Sequence, residues 1–129
     1  LVQMGCLHFY AGGALGFDTV AAEYILIKRA EGIGVRLELV LPCADQAARW
    51  SPNQRRRYEA ILSKADSVEI LHEHYTKSCM HERNRRMVEK SSACVAYCKQ
   101  NFGGTFSTVC YARSRGIMLY NIAEMNAKM

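Results

Sequence analysis

The 129-residue sequence has only two prolines and one tryptophan, and none of its six cysteines forms a Cys-x-x-Cys pair. It contains no apolar run of about 18 residues, the length that a membrane-spanning helix needs, so we expect no membrane span. It also lacks the basic start and long apolar segment of a secretory signal. Cys6, Cys94, Cys98 and Cys110 lie in apolar segments. We therefore expect reduced, buried thiols in a cytoplasmic protein and no disulfide framework.

The chain is mildly basic, with a net charge of +5, and half of its residues are hydrophobic. Its length and apolar content predict one domain, residues 1–129, with a real core. The positive charge fits an anionic ligand or nucleic acid, although a solvated surface explains it equally well. Because the chain does not begin with Met and opens inside or just before a strand, we interpret it as N-terminally truncated.

A glycine turn follows the first apolar run. Cys6–Tyr10 is a strand candidate, glycines follow at 12, 13 and 16, and a helical pattern begins at about residue 18. We expect Asp18 or Thr19 to cap this helix. Glycine lets a ligand approach the backbone closely, and a helix start attracts phosphate, so a nucleotide-phosphate site is one hypothesis. A strand–helix turn without a ligand is the alternative.

The remaining chain alternates between strand and helix patterns. In the first helix Val20, Tyr24 and Ile27 recur at helical spacing, and Ala21, Ala22 and Ile25 widen this apolar stripe. Leu37, Leu39 and Leu41 alternate along the second strand. Ser51 and Gln54 predict a capping box. Beyond a third strand and helix, Ala93–Cys98 is apolar enough to be a central strand.

A second glycine turn, Gly103–Thr105, begins a further helix. This helix runs to about Ser114 and carries Val109, Cys110 and Ala112 inward, and the fifth strand is Ile117–Ile122. The alternation predicts an α/β, Rossmann-like parallel sheet of about five strands with helices on both faces. Both glycine turns and the loop 42–50 then lie at strand carboxyl ends, where such folds bind ligands in one crevice.

Four segments together resemble a known family. They are the stretches 12–23, 41–50, 75–88 and the second glycine turn with Thr108, Tyr111 and Ala112 behind it. In this order they resemble the YpsA-like branch of the SLOG superfamily, which includes DNA-processing protein A and the Lonely Guy enzymes. The resemblance spans Gly12 to about Ile122. It implies a Rossmann-like fold that binds a nucleotide or nucleotide-derived ligand, and it implies no definite cofactor beyond that ligand.

The resemblance also marks two departures from the family pattern. Members of this branch begin with one more strand and helix, and its absence here implies a truncated chain, a short form or a homodimer. Lonely Guy enzymes carry a Gly-Gly-x-Gly-Thr-x-x-Glu motif, whereas here the helix after Gly103 and Gly104 has no carboxylate in its first turn. Glycoside cleavage needs such a group, so we expect ligand binding with a sensing or regulatory role.

The candidate ligand-binding residues come from four segments. The glycines would admit phosphate to the backbone, Gln46 could read a base edge, and Trp50 could stack on a base. Arg49 could pair with phosphate. The full set is Gly12, Gly13, Gly16, Asp18, Thr19, Gln46, Arg49, Trp50, Arg83, Asn84, Gly103, Gly104, Thr105 and Thr108. For Asp18 a simple cap, and for Trp50 a core anchor, are the structural alternatives.

Two other functions stay open. A single-stranded DNA-binding module, like DNA-processing protein A, would use the scattered arginines, and a weak nucleotide phosphoribohydrolase would need a carboxylate from elsewhere. A role in protein interaction is a third alternative. The residues His72, His74, Cys79 and His81 match no standard zinc spacing, so we expect no metal site.

Overall fold

The computed structural model describes residues 5–127, in which strands and helices alternate as the sequence predicts. In chain order the elements are β1 (His8–Ala11), α1 (Phe17–Ala30), β2 (Arg36–Leu41), α2 (Pro52–Lys64), β3 (Ser67–Ile70), α3 (Cys79–Glu89), β4 (Ala93–Ala96), α4 (Gly103–Ser114), β5 (Met118–Asn121) and α5 (Ile122–Ala127). All strand pairings are parallel. The α/β class and the parallel strands are therefore confirmed.

The five strands form two sheets, of three and two strands, in two compact units that divide between Cys79 and Met80. The first sheet has the order β1-β2-β3, with Phe9 paired to Leu37 and Leu39 paired to Val68. Right-handed crossovers between neighbouring parallel strands place both connecting helices on the same face. Accordingly, α1 and α2 contact each other.

The core of the first unit lies between this sheet and its two helices. Leu37, Leu39 and Leu41 are at most 2% exposed, as the alternation of β2 predicts, but Val40 on the opposite side of the strand is also buried, at 1%. They form one cluster with Ala22 of α1 and Tyr58 and Ile61 of α2. The middle strand therefore supplies most of the apolar surface that both helices cover.

The outer face of α1 is where the structure departs most from the predicted packing. Val20, Tyr24 and Ile27 are 57–59% exposed, and the buried residues of this helix are Thr19 and Ala22. The prediction is therefore wrong for Val20, Tyr24 and Ile27 and confirmed for Ala22 and Ile25. The helix has apolar residues on two sides, and the side with Ala22, Ile25 and Leu26 packs against the core. Periodicity alone does not say which of two apolar sides faces inward.

The two helix starts differ in how well they were predicted. The capping box of α2 is confirmed: the Ser51 hydroxyl accepts from the Gln54 backbone N–H at 3.2 Å, and the Gln54 side chain accepts from the Ser51 N–H at 2.9 Å. The N-cap of α1 is Gly16, with φ of 85°, and not Asp18 or Thr19. The helix begins earlier than expected because glycine adopts this positive φ without strain.

In the second unit β4 pairs with β5, and no other described strand is hydrogen-bonded to it. The prediction that β4 is central is therefore wrong, and Val95 within it is 39% exposed. An apolar run indicates that the two faces of a strand are covered by other residues. It does not indicate how many strands are hydrogen-bonded to that strand. α4 packs against both strands, with Val109 and Ala112 buried. The described segment after β5 is the short helix α5.

All six cysteines are described and free, but they differ in burial. Cys43 and Cys79 are buried, and Cys6, Cys94 and Cys98 are partly buried. Cys110, expected to face inward, is exposed, because it lies about 100° around α4 from the buried Val109. No helix within residues 5–127 is long and apolar enough to cross a membrane.

Candidate functional site

The first glycine turn is packed against the core. Gly12 and Gly13 are buried, and Gly13 has φ of +71°. A Cβ atom added at Gly13 would lie 2.7 Å from Leu41 Cδ2 and 3.2 Å from Tyr58 Cε1. Both the backbone angle and the lack of space therefore demand glycine at this position, whether or not a ligand binds.

Side chains of α1 bind the backbone of this same turn. The Asp18 carboxylate accepts a hydrogen bond from the Ala14 N–H at 3.3 Å, and the Thr19 hydroxyl donates to the Ala14 carbonyl at 2.9 Å. Asp18 also places a negative charge in the first turn of α1, where it complements the helix dipole. This helix start already holds an anionic group of the chain itself, which disfavours a second anion there.

The loop that follows β2 also contacts the first turn. Gln46 Nε2 donates to the Tyr58 hydroxyl at 3.1 Å and lies 3.5 Å from the Gly13 carbonyl oxygen. The Trp50 ring meets the Tyr58 ring edge-on, with centroids 5.1 Å apart, and packs against the core cluster. The structure thus brings Gln46 and Trp50 together at Tyr58, and Gln46 also reaches Gly13. Their proposed contacts with a base stay predictions, as does a phosphate contact for the exposed Arg49.

Cys43, at the start of the same loop, is a buried free thiol. Burial, followed by the neighbouring Asp45, raises the pKa of this thiol to about 11. The Asp45 carboxylate also lies 3.3 Å from His74 Nδ1, and its pKa is lowered, first by Cys43.

Within residues 5–127 no group of three or more histidine, cysteine or acidic side chains could hold a metal ion.

The second glycine turn is open where the first is closed. Gly103 has φ of +91°, and a Cβ atom added at Gly103 or Gly104 would meet nothing within 4 Å. The N-cap of α4 is Phe102, which provides no side-chain hydrogen bond, and the first turn has no acidic residue. Thr105 is exposed, and the Thr108 hydroxyl donates to the Gly104 carbonyl at 2.9 Å.

A cavity of about 280 Å³ opens at this second turn. It is lined by Tyr97, Cys98, Lys99, Gln100, Phe102, Gly103, Gly104 and Thr105. A second open cavity, of about 730 Å³, shares the wall 98–100 and continues along α4 to Arg113. The candidate site of this unit is therefore an open depression at the carboxyl end of β4.

Lys99 supplies the positive charge of this cavity. Its ammonium lies 5.4 Å from the centroid of the Tyr97 ring. The pKa of Lys99 is raised, first by the Tyr97 hydroxyl, so the lysine stays charged at neutral pH. Lys99 was not among the ligand-binding residues predicted from the sequence. Its position, just after an apolar strand and before a glycine turn, could have indicated it.

The buried Asn121 holds the wall of the cavity in place. Its Oδ1 accepts from the Cys98 N–H at 3.0 Å and from the Ala123 N–H at 3.2 Å, and its Nδ2 donates to the Cys98 carbonyl at 2.9 Å. One side chain thus joins the ends of β4 and β5. Nothing local in the sequence indicated this, since the two strand ends meet only in the fold.

The two polar candidates on α3 differ in exposure. Arg83 is only 3% exposed, and its Nε donates to Asn84 Oδ1 at 2.7 Å, whereas Asn84 is partly buried. A ligand contact by either residue stays a prediction. Other basic residues are also engaged: Arg57 pairs with Glu23 at 2.5 Å, and Arg85 lies over the Tyr111 ring.

The sequence matches a known protein family. The family model described as YspA SLOG family matches residues 1–117. The chain belongs to this SLOG family. The predicted resemblance is therefore confirmed, and membership indicates a nucleotide-related binding fold.

The individual relatives share 25–30% of their residues with this chain. The chain is 30% identical over 98 residues to a UPF0398 protein of Bacillus pumilus, covering 74% of this chain and 53% of that protein. It is 26% identical over 117 residues to the SPbeta prophage-derived protein YoqJ of Bacillus subtilis, covering 81% and 68% of the two chains. A UPF0398 protein of Bacillus licheniformis is 25% identical over 107 residues, with 81% and 58% covered. The chain thus spans about half to two thirds of the length of these relatives, whose names state no ligand.

Proposed function

We propose that this chain binds the phosphate of a nucleotide or nucleotide-derived ligand at its second glycine turn. The observation that carries the proposal is the uncapped start of α4, which opens into a cavity beside Lys99. The free N–H groups of a helix start and its positive dipole end favour an anion. Because the chain belongs to the SLOG family, we infer that this anion is the phosphate of a nucleotide.

Three features of the cavity support this assignment. Gly103 and Gly104 have no side chains above them, so a phosphate can approach the backbone amides. Lys99 adds a full positive charge to the lining of this cavity. Tyr97 and Phe102, 41% and 65% exposed, offer aromatic faces beside the same turn on which a base can stack.

The first glycine turn is the weaker phosphate candidate. Its glycines are buried, and the Asp18 carboxylate takes up one of its amides. We assign it a supporting role, in which it sets the path of the chain from β1 into α1. A ribose or base contact there stays a prediction for Asp18, Thr19, Gln46 and Trp50.

We infer binding without cleavage because the second glycine turn carries no carboxylate, although Glu124 lines the adjoining larger cavity. Glycoside hydrolysis needs an acidic group at the reacting centre, and the first turn of α4 has none. The two carboxylates that follow the first glycine turn are engaged, Asp18 with the Ala14 amide and Glu23 with Arg57. A sensing or regulatory role follows for a protein that binds such a ligand and leaves it intact.

A calorimetric comparison of AMP with adenosine tests the proposal. These probes differ only in the phosphate, so we expect AMP to bind at least about tenfold more tightly, or about 1.4 kcal/mol. Lys99→Gln and Gly104→Val should each weaken AMP binding by about the same factor. Lys77→Gln removes an exposed lysine of the first unit and is the matched control, with AMP binding unchanged.

Three results would contradict the proposal. Equal binding of AMP and adenosine would show that the phosphate contributes nothing. Full AMP affinity in Lys99→Gln and Gly104→Val would place the phosphate elsewhere. A short single-stranded oligonucleotide that binds where AMP does not, and is released by salt, would favour the DNA-binding alternative, because counterion release makes such binding steeply salt-dependent.

A further inference from the structure

The larger cavity of the second unit follows one side of α4. Part of its lining comes from three residues that are spaced three and four apart and so share one helical face: Phe106, Val109 and Arg113. Another part comes from the end of β5 and the first turn of α5. Residues 98–100 line both this cavity and the smaller one at the start of α4, so the two cavities adjoin along this segment.

The larger cavity has a carboxylate in its lining. Among the described residues that line the two cavities, Glu124 is the one acidic side chain. It is exposed, and it takes part in none of the ion pairs found among residues 5–127. A carboxylate accepts hydrogen bonds and donates none. Glu124 therefore offers two oxygen atoms to hydrogen-bond donors of a ligand.

Asn121 fixes the backbone that carries Glu124 beside the phosphate cavity. The Asn121 side chain bonds to the N–H and the carbonyl of Cys98, in the segment that both cavities share, at 3.0 and 2.9 Å. Its Oδ1 also accepts from the Ala123 N–H at 3.2 Å, one residue before Glu124. One buried amide thus ties the first turn of α5 to the segment that carries Lys99.

The charges of the two cavities favour different parts of a nucleotide. The smaller cavity has Lys99 and the N–H groups at the start of α4, which favour the phosphate. Arg113 also lines the larger cavity, but it lies in the last turn of α4, where the helix dipole disfavours an anion. Glu124 repels a phosphate and binds neutral hydroxyl donors strongly. The larger cavity is therefore suited to the sugar.

We propose that Glu124 binds the 2′- and 3′-hydroxyls of the ligand's ribose, so that the site takes a free ribonucleotide. The assignment rests on the phosphate site proposed at the start of α4. The two adjacent hydroxyls match the two oxygens of one carboxylate. A deoxyribonucleotide lacks the 2′-hydroxyl, and within a DNA strand the 3′-hydroxyl is esterified. The same carboxylate thus disfavours DNA at this site.

Calorimetry with AMP and 2′,3′-dideoxy-AMP is the test, because these probes differ only in the two hydroxyls. The unchanged chain should bind AMP at least about tenfold more tightly, the effect of a hydrogen bond to a charged group. In Glu124→Ala this ratio should fall to about one. Glu124→Gln keeps one acceptor oxygen and should retain part of the ratio. Glu73→Ala removes an exposed carboxylate of the first unit and is the matched control, with the ratio unchanged.

Three results would overturn the ribose assignment. They are a ratio of one in the unchanged chain, a full ratio in Glu124→Ala, and an equal loss of affinity for both probes in Glu124→Ala, which would show that Glu124 acts on another part of the ligand. Each differs from failure of the phosphate site, which appears as equal binding of AMP and adenosine. If AMP did not bind at all, both proposals would be overturned.

Discussion

The two glycine turns follow the same pattern of strand, glycine pair and helix, yet they face different surroundings. At the first turn, a Cβ atom on Gly13 would collide with Leu41 and approach Tyr58. At the second, Gly103 and Gly104 border open space, and Lys99 lines the cavity beside them. The first turn thus needs glycine for packing, while the second leaves its backbone accessible. A glycine turn before a helix is therefore a ligand site only where the fold leaves it uncovered.

The units that carry the two turns are also braced differently. In the first, the Asp66 carboxylate accepts from the Leu37 N–H at 2.8 Å and from Arg29 at 2.7 Å, which ties α1, β2 and the start of β3 together. In the second, the neutral amide of Asn121 joins β4 to β5. One brace depends on an ionised group and the other does not, so they should respond differently to acid.

The largest expected difference lies between Gly13→Ala and Gly104→Ala. Gly13→Ala forces a positive φ on alanine and overpacks the core, which together should cost about 2 to 4 kcal/mol of unfolding free energy. Gly104→Ala adds a methyl group in open space within α4 and should not destabilise the chain. Urea unfolding of both variants and of the unchanged chain measures this.

Gly16→Ala separates the two causes of that loss. Gly16 has φ of 85° and ψ of −126° but open space around its Cβ position, so Gly16→Ala should lose only the part that comes from the backbone, about 1 to 3 kcal/mol. Equal stability of the Gly13 and Gly104 variants would remove the contrast between a packed turn and an open one.

An intermediate effect is expected for the ionised brace and for its pH dependence. The Leu37 N–H, and then Arg29, hold the pKa of Asp66 below its ordinary value of 3.8. A lowered pKa stabilises the folded chain at pH values above the unfolded pKa, and this stabilisation is lost as the pH falls through the folded pKa. Asp66→Asn should therefore cost about 2 kcal/mol at pH 7 and progressively less below about pH 4.

Urea unfolding of Asp66→Asn and the unchanged chain between pH 3 and 7 provides the measurement. Asn121→Ala is the comparison from the second unit, and its cost should not depend on the pH, because the Asn121 amide does not titrate. A cost of Asp66→Asn that stays constant down to pH 3 would show that the carboxylate charge is unimportant.

The smallest effect is expected for Asp18→Ala at the first turn. The substitution removes one hydrogen bond to the Ala14 N–H and one favourable charge at a helix start, worth about 1 kcal/mol together. Thermal unfolding should show a melting temperature lower by several degrees. An unchanged or raised melting temperature would mean that Asp18 does not close the turn.

Features of the fold that depend on neighbouring residues in the chain were predictable. The capping box of Ser51 and Gln54 needs only residues three apart, and the alternation of Leu37, Leu39 and Leu41 follows from the two-residue period of a strand. The inward side of α1 was not predictable in this way. Two apolar sides compete there, and packing against β2 selects the one with Ala22.

The candidate site divides along the same line. The sequence located both glycine turns and the loop between them, because glycine pairs after apolar runs are local signals. It did not distinguish the packed turn from the open one, since that depends on Leu41 and Tyr58, far along the chain from Gly13. Asn121 was missed for the same reason, as its partner Cys98 is 23 positions away.

The sequence by itself determined the α/β class, the SLOG family, the order of the elements and the positions of the two glycine turns. These follow from periodicity, capping and turn chemistry, which act over a few residues. Only the tertiary structure decided which turn is accessible, which side of α1 stays exposed and which strands pair. Those outcomes depend on the space and the hydrogen bonds between segments that are distant in the chain. A local sequence pattern does not contain this information.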